Sequence, residues 1–322
     1  MKRARVALTG IGIPQALRWY DGALWFSDNT VGTVNRWTGD GDPHVIAEVP
    51  GAGGLGWLPD GRLLVLSTVD HVVYLLEEDG TLVTHADLAG LAGGTPNDMI
   101  VDAVGRAYVG NYGFDYEKRT ASGSHAALFA PPGPAMTSLA CLNADGSLLG
   151  QSGPVLFPNG ATLVDDGTKL LLCETLRFRI TAFDVDTDGT LSAPRLWASL
   201  IPPLLWRALT AEGLLGAMTR WVGGALEHPQ VSRRSASPIA PDDIATNADG
   251  TVWIANSARG ECVRIAHGGR VLDRIATSGH TLGIAIGGPH GQTLYAATVP
   301  TLDPAVSERR RRGSIEVFDL TG

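Results

Sequence analysis

The sequence predicts an all-β chain, a six-bladed β-propeller with a helical insertion between blades 4 and 5, and three observations carry that prediction. Six units join a turn glycine to a short apolar strand: Asp21-Gly22 to Phe26, Asp60-Gly61 to Val65, Gly105 to Val109, Asp166-Gly167 to Leu171, Asp249-Gly250 to Ile254 and His290-Gly291 to Tyr295. The basic spacing is roughly 40 residues with room for four short strands, which is the period of propeller blades. Three intervals also carry a short polar residue eight positions before the turn glycine: Asn97 before Gly105, Asn159 before Gly167 and Asp242 before Gly250. Equivalent positions of a repeat ring converge on its axis, so these side chains define one oxygen-rich pocket.

Taken in chain order, Arg5 to Leu8 is expected to clasp the ring by pairing with the last blade, which ends in Ser314 to Leu320. No blade buries both faces alone, so closure makes residues 1–322 a single domain. Each turn glycine supplies the positive φ of a tight hairpin, and a period-2 apolar run follows it. Further strands fill the blades, such as Thr33 to Trp37 and Ile180 to Val185. Two intervals are long. The first holds an extended stretch, Asn111 to Pro134, with Phe114, Tyr116 and several prolines. The second holds an excess at about 200–238, where Leu204, Leu205 and Leu209, then Leu214, Leu215, Met218, Trp221, Val222 and Leu226, recur at helical spacing. A helical hairpin is expected there, too apolar for disorder, as a lid over the pocket or as a homodimer interface or flank packing.

The composition is globular, with 44% hydrophobic and 18% charged residues among 322. A formal charge of -8 and a pI near 5.4 argue against a nucleic-acid partner, which would need a basic stripe. Arg309 to Arg312 reads as a solvated loop. Cys141, Cys173 and Cys262 are odd in number and lack C-x-x-C spacing, so they read as small core residues in a reducing compartment. The apolar run after Arg5 is too short for a signal sequence, and no stretch has the length of a membrane span. The expectation is a cytoplasmic protein that takes a small-molecule substrate, with no membrane partner.

Several stretches together resemble a known family: Arg18-Trp19-Tyr20-Asp21-Gly22-Ala23-Leu24-Trp25-Phe26-Ser27-Asp28, Pro96-Asn97-Asp98-Met99-Ile100-Val101-Asp102, Asn111-Tyr112-Gly113-Phe114-Asp115, Phe157-Pro158-Asn159-Gly160 and Pro241-Asp242-Asp243-Ile244. The chain is similar in these to the senescence marker protein (regucalcin), gluconolactonase and luciferin-regenerating enzyme group of six-bladed propellers, from Ile11 to near the C-terminus. The resemblance implies a divalent metal at the top of the central channel. In the family its ligands are a Glu in a Glu-x-Pro-x-Trp context, the Asn of Pro-Asn-Gly and the Asp of Pro-Asp-Gly. The last two carry over to Asn159 and Asp242. Gln15 stands where the family has the Glu, and Leu17 where it has the Pro. Asn97 is the counterpart of an Asn that contacts substrate or metal-bound water. Thr95 stands where sugar-lactone members place an Arg, so a strong donor for a polar sugar acid is missing.

Amide and carboxylate oxygens suit a hard cation, so Ca²⁺ heads the expectation, with Mg²⁺, Mn²⁺ and Zn²⁺ as alternatives. With Gln15 in place of a carboxylate, the site is expected to be weak or empty. The reaction implied is hydrolysis of a lactone or related ester of a relatively apolar small molecule. Asp242 would ligate the metal and accept a proton, Asn97 would orient water or substrate, and Asp243 would support Asp242. His280 and His71 are candidates for acid or base work at the channel, against the commoner role of a hydrogen-bonded structural histidine. No G-x-S-x-G elbow points to a serine nucleophile. Two other readings stay open: a metal-independent tailoring enzyme of secondary metabolism catalysing cyclisation, isomerisation or condensation, and a non-catalytic propeller that binds calcium or a small molecule.

Overall fold

Short apolar strands alternating with glycine turns fold into six four-stranded antiparallel units, the blades of a β-propeller. The structure, a computed structural model, describes residues 2–91, 93–120, 135–201 and 239–321. Blade 1 runs Pro14–Tyr20, Ala23–Asp28, Thr33–Trp37, His44–Glu48, and blade 2 runs Ala52–Trp57, Leu63–Ser67, Val72–Leu76, Leu82–Asp87. Blade 3 is Pro96–Val101, Ala107–Asn111, Ala140–Leu142, Leu148–Gln151, and blade 4 is Pro158–Val164, Lys169–Glu174, Arg179–Asp184, Arg195–Ser199. Blade 5 is Pro241–Thr246, Val252–Asn256, Glu261–Ile265, Val271–Ala276, and blade 6 begins His280–Gly287, Thr293–Val299, Gly313–Asp319.

The fourth strand of blade 6 comes from the other end of the chain. Arg5–Ile11 pairs antiparallel with Gly313–Asp319, Arg5 opposite Val317 and Ile11 opposite Gly313. Lys2–Arg3 then pairs in parallel with the outer strand of blade 5. All six turn glycines take positive φ, from 64° at Gly291 to 92° at Gly105, a conformation that costs glycine nothing.

Each inner strand packs on the next, and that of blade 6 returns to that of blade 1, so the ring is closed. The core is divided accordingly, with a separate apolar cluster at each blade interface. Val34, Leu55 and Val65 lie between blades 1 and 2, and Leu171, Ile180, Ile244 and Ile254 between blades 4 and 5. Each such side chain contributes about 1.5–3 kcal/mol on burial, and none of it is available to a blade without its neighbour.

From residue 202 on, the insertion expected at 200–238 lies outside the described residues. The stretch after Asn111 includes a short helix, Tyr116–Thr120. Arg309 and Arg310 end a second helix, Pro304–Arg310, capped by Asp303, so the basic cluster is only half a loop, although it is exposed as expected. The three cysteines are buried and unpaired. Among the described residues no helix is long and apolar enough to cross a membrane.

Candidate functional site

Every inner strand opens with one or two ladder pairs and then slips register. Ala52 pairs with Ser67, Pro96 with Asn111, Pro158 with Glu174, Pro241 with Asn256 and Thr281 with Thr298, and regular pairing resumes two or three residues later. In blade 1 the slip falls between Gln15 and Arg18. A β-bulge frees the intervening residues from the ladder and re-aims their side chains. Asn97 and Asp98, Asn159 and Gly160, and Asp242 and Asp243 occupy these bulges, with Gly53 and Leu282 at the equivalent places in blades 2 and 6. Proline suits the opening position because a strand end can spare one N–H. The facing residue pins the incoming loop: Glu174 Oε2 accepts from Leu156 N at 2.7 Å and Asn256 Oδ1 from Ala240 N at 3.1 Å.

Blades 3, 4 and 5 are tied together through these residues. Asn97 Nδ2 donates to Asn159 Oδ1 at 2.8 Å, Asn159 Nδ2 to Thr175 Oγ1 at 3.2 Å, and Thr175 Oγ1 to Pro241 O at 2.7 Å. Asp242 follows directly. Burial raises its carboxyl well above the usual carboxylate range, Asp243 and Asp98 push the same way, and a hydrogen bond with Ser257 opposes them.

Asp98 and Asp243 belong to a second layer organised by Arg18, which the sequence reading did not single out as a site residue. Arg18 Nη2 lies 3.3 Å from Asp98 Oδ1 and Nη1 lies 3.7 Å from Asp243 Oδ2, so one guanidinium joins blades 1, 3 and 5. It also donates to Leu17 O at 2.9 Å and Met99 O at 3.0 Å, while its buried Nε has no hydrogen-bond partner among the described residues. Asp243 accepts from Ile244 N at 2.8 Å and Ile284 N at 3.1 Å, and a Cβ on Gly160 would collide with its carboxylate. Burial raises Asp243 to about 7, with Asp98 in the same sense and Arg18 and the two amides opposing. A signal for this layer was present: an aspartate follows the polar residue in blades 3 and 5 alone. Arg18 also stands where the other inner strands carry Gly56, Ile100, Thr162, Ala245 and Ala285.

An aromatic group stands beside Asn97 and Asn159. Tyr112 is 4.7 Å from Tyr116 and 4.5 Å from Phe157 between ring centroids, and Phe114 is 6.2 Å from Tyr112 and 6.0 Å from Phe157. Thr95, buried two residues before Asn97, holds this loop. Its N–H donates to Phe114 O at 3.0 Å, its carbonyl accepts from Tyr112 N at 3.0 Å, and its hydroxyl accepts from Tyr116 N at 3.1 Å. Burial raises both phenols of Tyr112 and Tyr116, and the charge of Asp242 adds to it, so they stay protonated.

The remaining candidates are Gln15, His280 and His71. Gln15 is half-buried opposite Ser27, and its side chain makes no hydrogen bond within the described residues. His280 is buried, with Nδ1 2.7 Å from Ser257 O, one residue removed from Asp242 through Ser257. His71 sits at φ 56° in the turn after Leu63–Ser67 in blade 2, with its carbonyl accepting from Leu88 N. For a metal, the oxygens of Asp242, Asn159 and Gln15 have the right chemistry for a hard cation. Among the described residues no cluster of three His, Cys, Asp or Glu is placed to hold an ion. A cation here would therefore rest on one ligating carboxylate plus amide oxygens.

Residues 13–299 match the family model described as the SMP-30/Gluconolactonase/LRE-like region. Among solved structures, the chain aligns with a luciferin-regenerating enzyme at TM-score 0.70 and 16% identity, over 98% of this chain and 95% of that one. With a gluconolactonase from Xanthomonas campestris the TM-score is 0.65 at 18% identity, over 99% and 95% of the two chains. With a calcium-binding regucalcin from Agrobacterium tumefaciens it is 0.65 at 16% identity, over 98% and 93%. At these identities the likeness shows the fold. No curated protein sequence matches the chain.

Proposed function

The chain belongs to the SMP-30/gluconolactonase/LRE-like family, and from that premise we propose a lactonase-type hydrolase that opens a lactone or related ester of a small molecule less polar than a sugar lactone. The observation that carries this reading is the link from Asn97 through Asn159 and Thr175 to the strand of Asp242, which gathers three equivalent polar positions at one end of the channel. Asp242 is the base. It is the one carboxylate among the three equivalent positions, and a carboxylate can accept a proton from water where an amide cannot. Asn97 spends its Nδ2 on Asn159, which leaves its carbonyl oxygen to orient the attacking water. A divalent cation, Ca²⁺ first, held by Asp242, Asn159 and Gln15, would polarise the substrate carbonyl. Thr95 bonds the aromatic loop where an Arg would serve a sugar acid, which favours the less polar substrate.

A second reading, a metal-independent tailoring enzyme of secondary metabolism, is favoured by Arg18 together with Gln15. A fixed guanidinium already balances part of the charge that a cation would neutralise. Initial rates over aliphatic, aromatic and sugar lactones, with chelator and with each of Ca²⁺, Mg²⁺, Mn²⁺ and Zn²⁺, decide between them. The hydrolase is expected to turn over at least one lactone, to lose that activity to chelator and regain it with metal. Asp242→Asn should lower kcat by at least about a hundredfold with an unchanged circular dichroism spectrum. Turnover indifferent to chelator moves the assignment to the second reading, and no hydrolysis under any metal removes the first.

A further inference from the structure

We propose that Tyr112, Phe114, Tyr116 and Phe157 form a stacking wall of the substrate site, which selects a lactone bearing an aromatic or conjugated planar ring. The inference deepens the hydrolase reading and rests on its placement of the site.

Tyr112 is tilted by 26° to 32° against each of the other three rings and Phe114 by 34° against Phe157, with Tyr112 in closest contact with Tyr116 and Phe157. Apolar cores usually mix stacked and edge-on pairs, whereas a layered set presents flat faces, and a planar ligand continues such a stack. The rings are not core filling. Tyr112, Phe114 and Tyr116 are half-buried and keep surface open, while Phe157 is buried behind them.

Their position is tied to the polar site at both ends. Phe157 leads directly into Pro158 and Asn159, at φ 49°, a backbone conformation that a bulky residue adopts only under constraint. The other three rings ride on the loop that the three bonds of Thr95 anchor two residues from Asn97. Gly94 lets that loop close, since a Cβ there would collide with the backbone of Phe114. The guanidinium of Arg119 lies 5.0 Å from the Phe114 centroid, which fixes that ring further. The result is an apolar group of rings on the loop two residues from Asn97 and at the residue that leads into Pro158 and Asn159, with Tyr112 and Tyr116 near enough to Asp242 to feel its charge. Such a site grips a planar ring by its face and leaves an attached ester carbonyl beside the polar residues.

The test uses binding rather than turnover, so that it stands apart from the hydrolase assay. A benzo-fused δ-lactam and its fully saturated counterpart, neither of which is readily hydrolysed, are titrated calorimetrically into the full-length protein. The benzo-fused lactam is expected to bind about threefold to tenfold tighter, the range of an aromatic pair. Tyr112→Leu and Phe114→Leu, each checked for an unchanged melting temperature, should bring the ratio near one, chiefly by weakening the benzo-fused lactam. Equal affinities in the wild type, no binding of either lactam, or a ratio that persists in both variants would overturn the proposal. Selective binding without lactone hydrolysis would sink the hydrolase reading alone, and hydrolysis without aryl preference would sink this one alone.

Discussion

Arg18 sets the charge of the channel. It is the guanidinium in contact with both Asp98 and Asp243, and its side chain is 14% exposed. Arg18→Met leaves two buried carboxylates without their cation, a change that costs about 3 kcal/mol or more. The pH dependence follows from Asp243, whose folded value near 7 exceeds its ordinary 3.8. Between those values the unfolded chain ionises first, so this group's contribution makes stability fall as pH rises from about 4 to 7 and level off above. In chelator, urea midpoints measured across that range should fall less in Asp243→Asn than in wild type, and more in Arg18→Met; equal slopes in all three proteins would refute the assignment. At this scale the sequence was legible for Asn97, Asn159 and Asp242, because a shared offset from a turn glycine is local information. It marked Arg18 as the odd residue at its place in the inner strands but not its partners, because a pairing between residues 80 positions apart depends on where the ring brings blade 3.

The working element is the bulged start of an inner strand rather than the strand itself. Alternation along a ladder would aim neighbouring residues at opposite faces, and the bulge is what lets Asn97 with Asp98, and Asp242 with Asp243, both serve the channel. The turn Thr175–Arg177 completes the element in blade 4, since Thr175 accepts from Asn159 and donates to Pro241 O. Thr175→Val keeps the shape and removes both bonds. It should destabilise the protein by about 1–3 kcal/mol in urea titrations and raise KM more than it lowers kcat, as Asn159 loses its anchor; an unchanged midpoint and KM would show that the tie is idle. Glycine turns and period-2 runs revealed these strands from sequence, whereas the bulges left no mark that distinguishes them from ordinary strand starts. Thr95 shows the same limit. Its identity suggested a missing substrate contact, and its three bonds show a loop anchor.

For the molecule as a whole, stability lies at the blade interfaces, so it depends on ring closure. The strand Arg5–Ile11 supplies the outer edge of blade 6, and Leu8 and Ile11 contribute to the cluster between blades 6 and 1. Removing residues 1–11 should expose the edge of Gly313–Asp319, lower the melting temperature by several degrees and make aggregation concentration-dependent. Thermal melts with light scattering check this, and a melting curve matching the intact chain would show that the strand is dispensable.

By itself the sequence determined the number of blades, the order of their strands and three polar residues at equivalent places in the ring. Each of these is written in a local pattern, a turn glycine with an apolar run at a fixed distance. Only the tertiary structure decided which equivalent positions meet. Asn97 bonds Asn159 while Gln15 bonds neither, Arg18 reaches two aspartates on other blades, and four aromatic rings gather beside them. Those contacts join residues on different blades, and their distances exist only once the ring has closed.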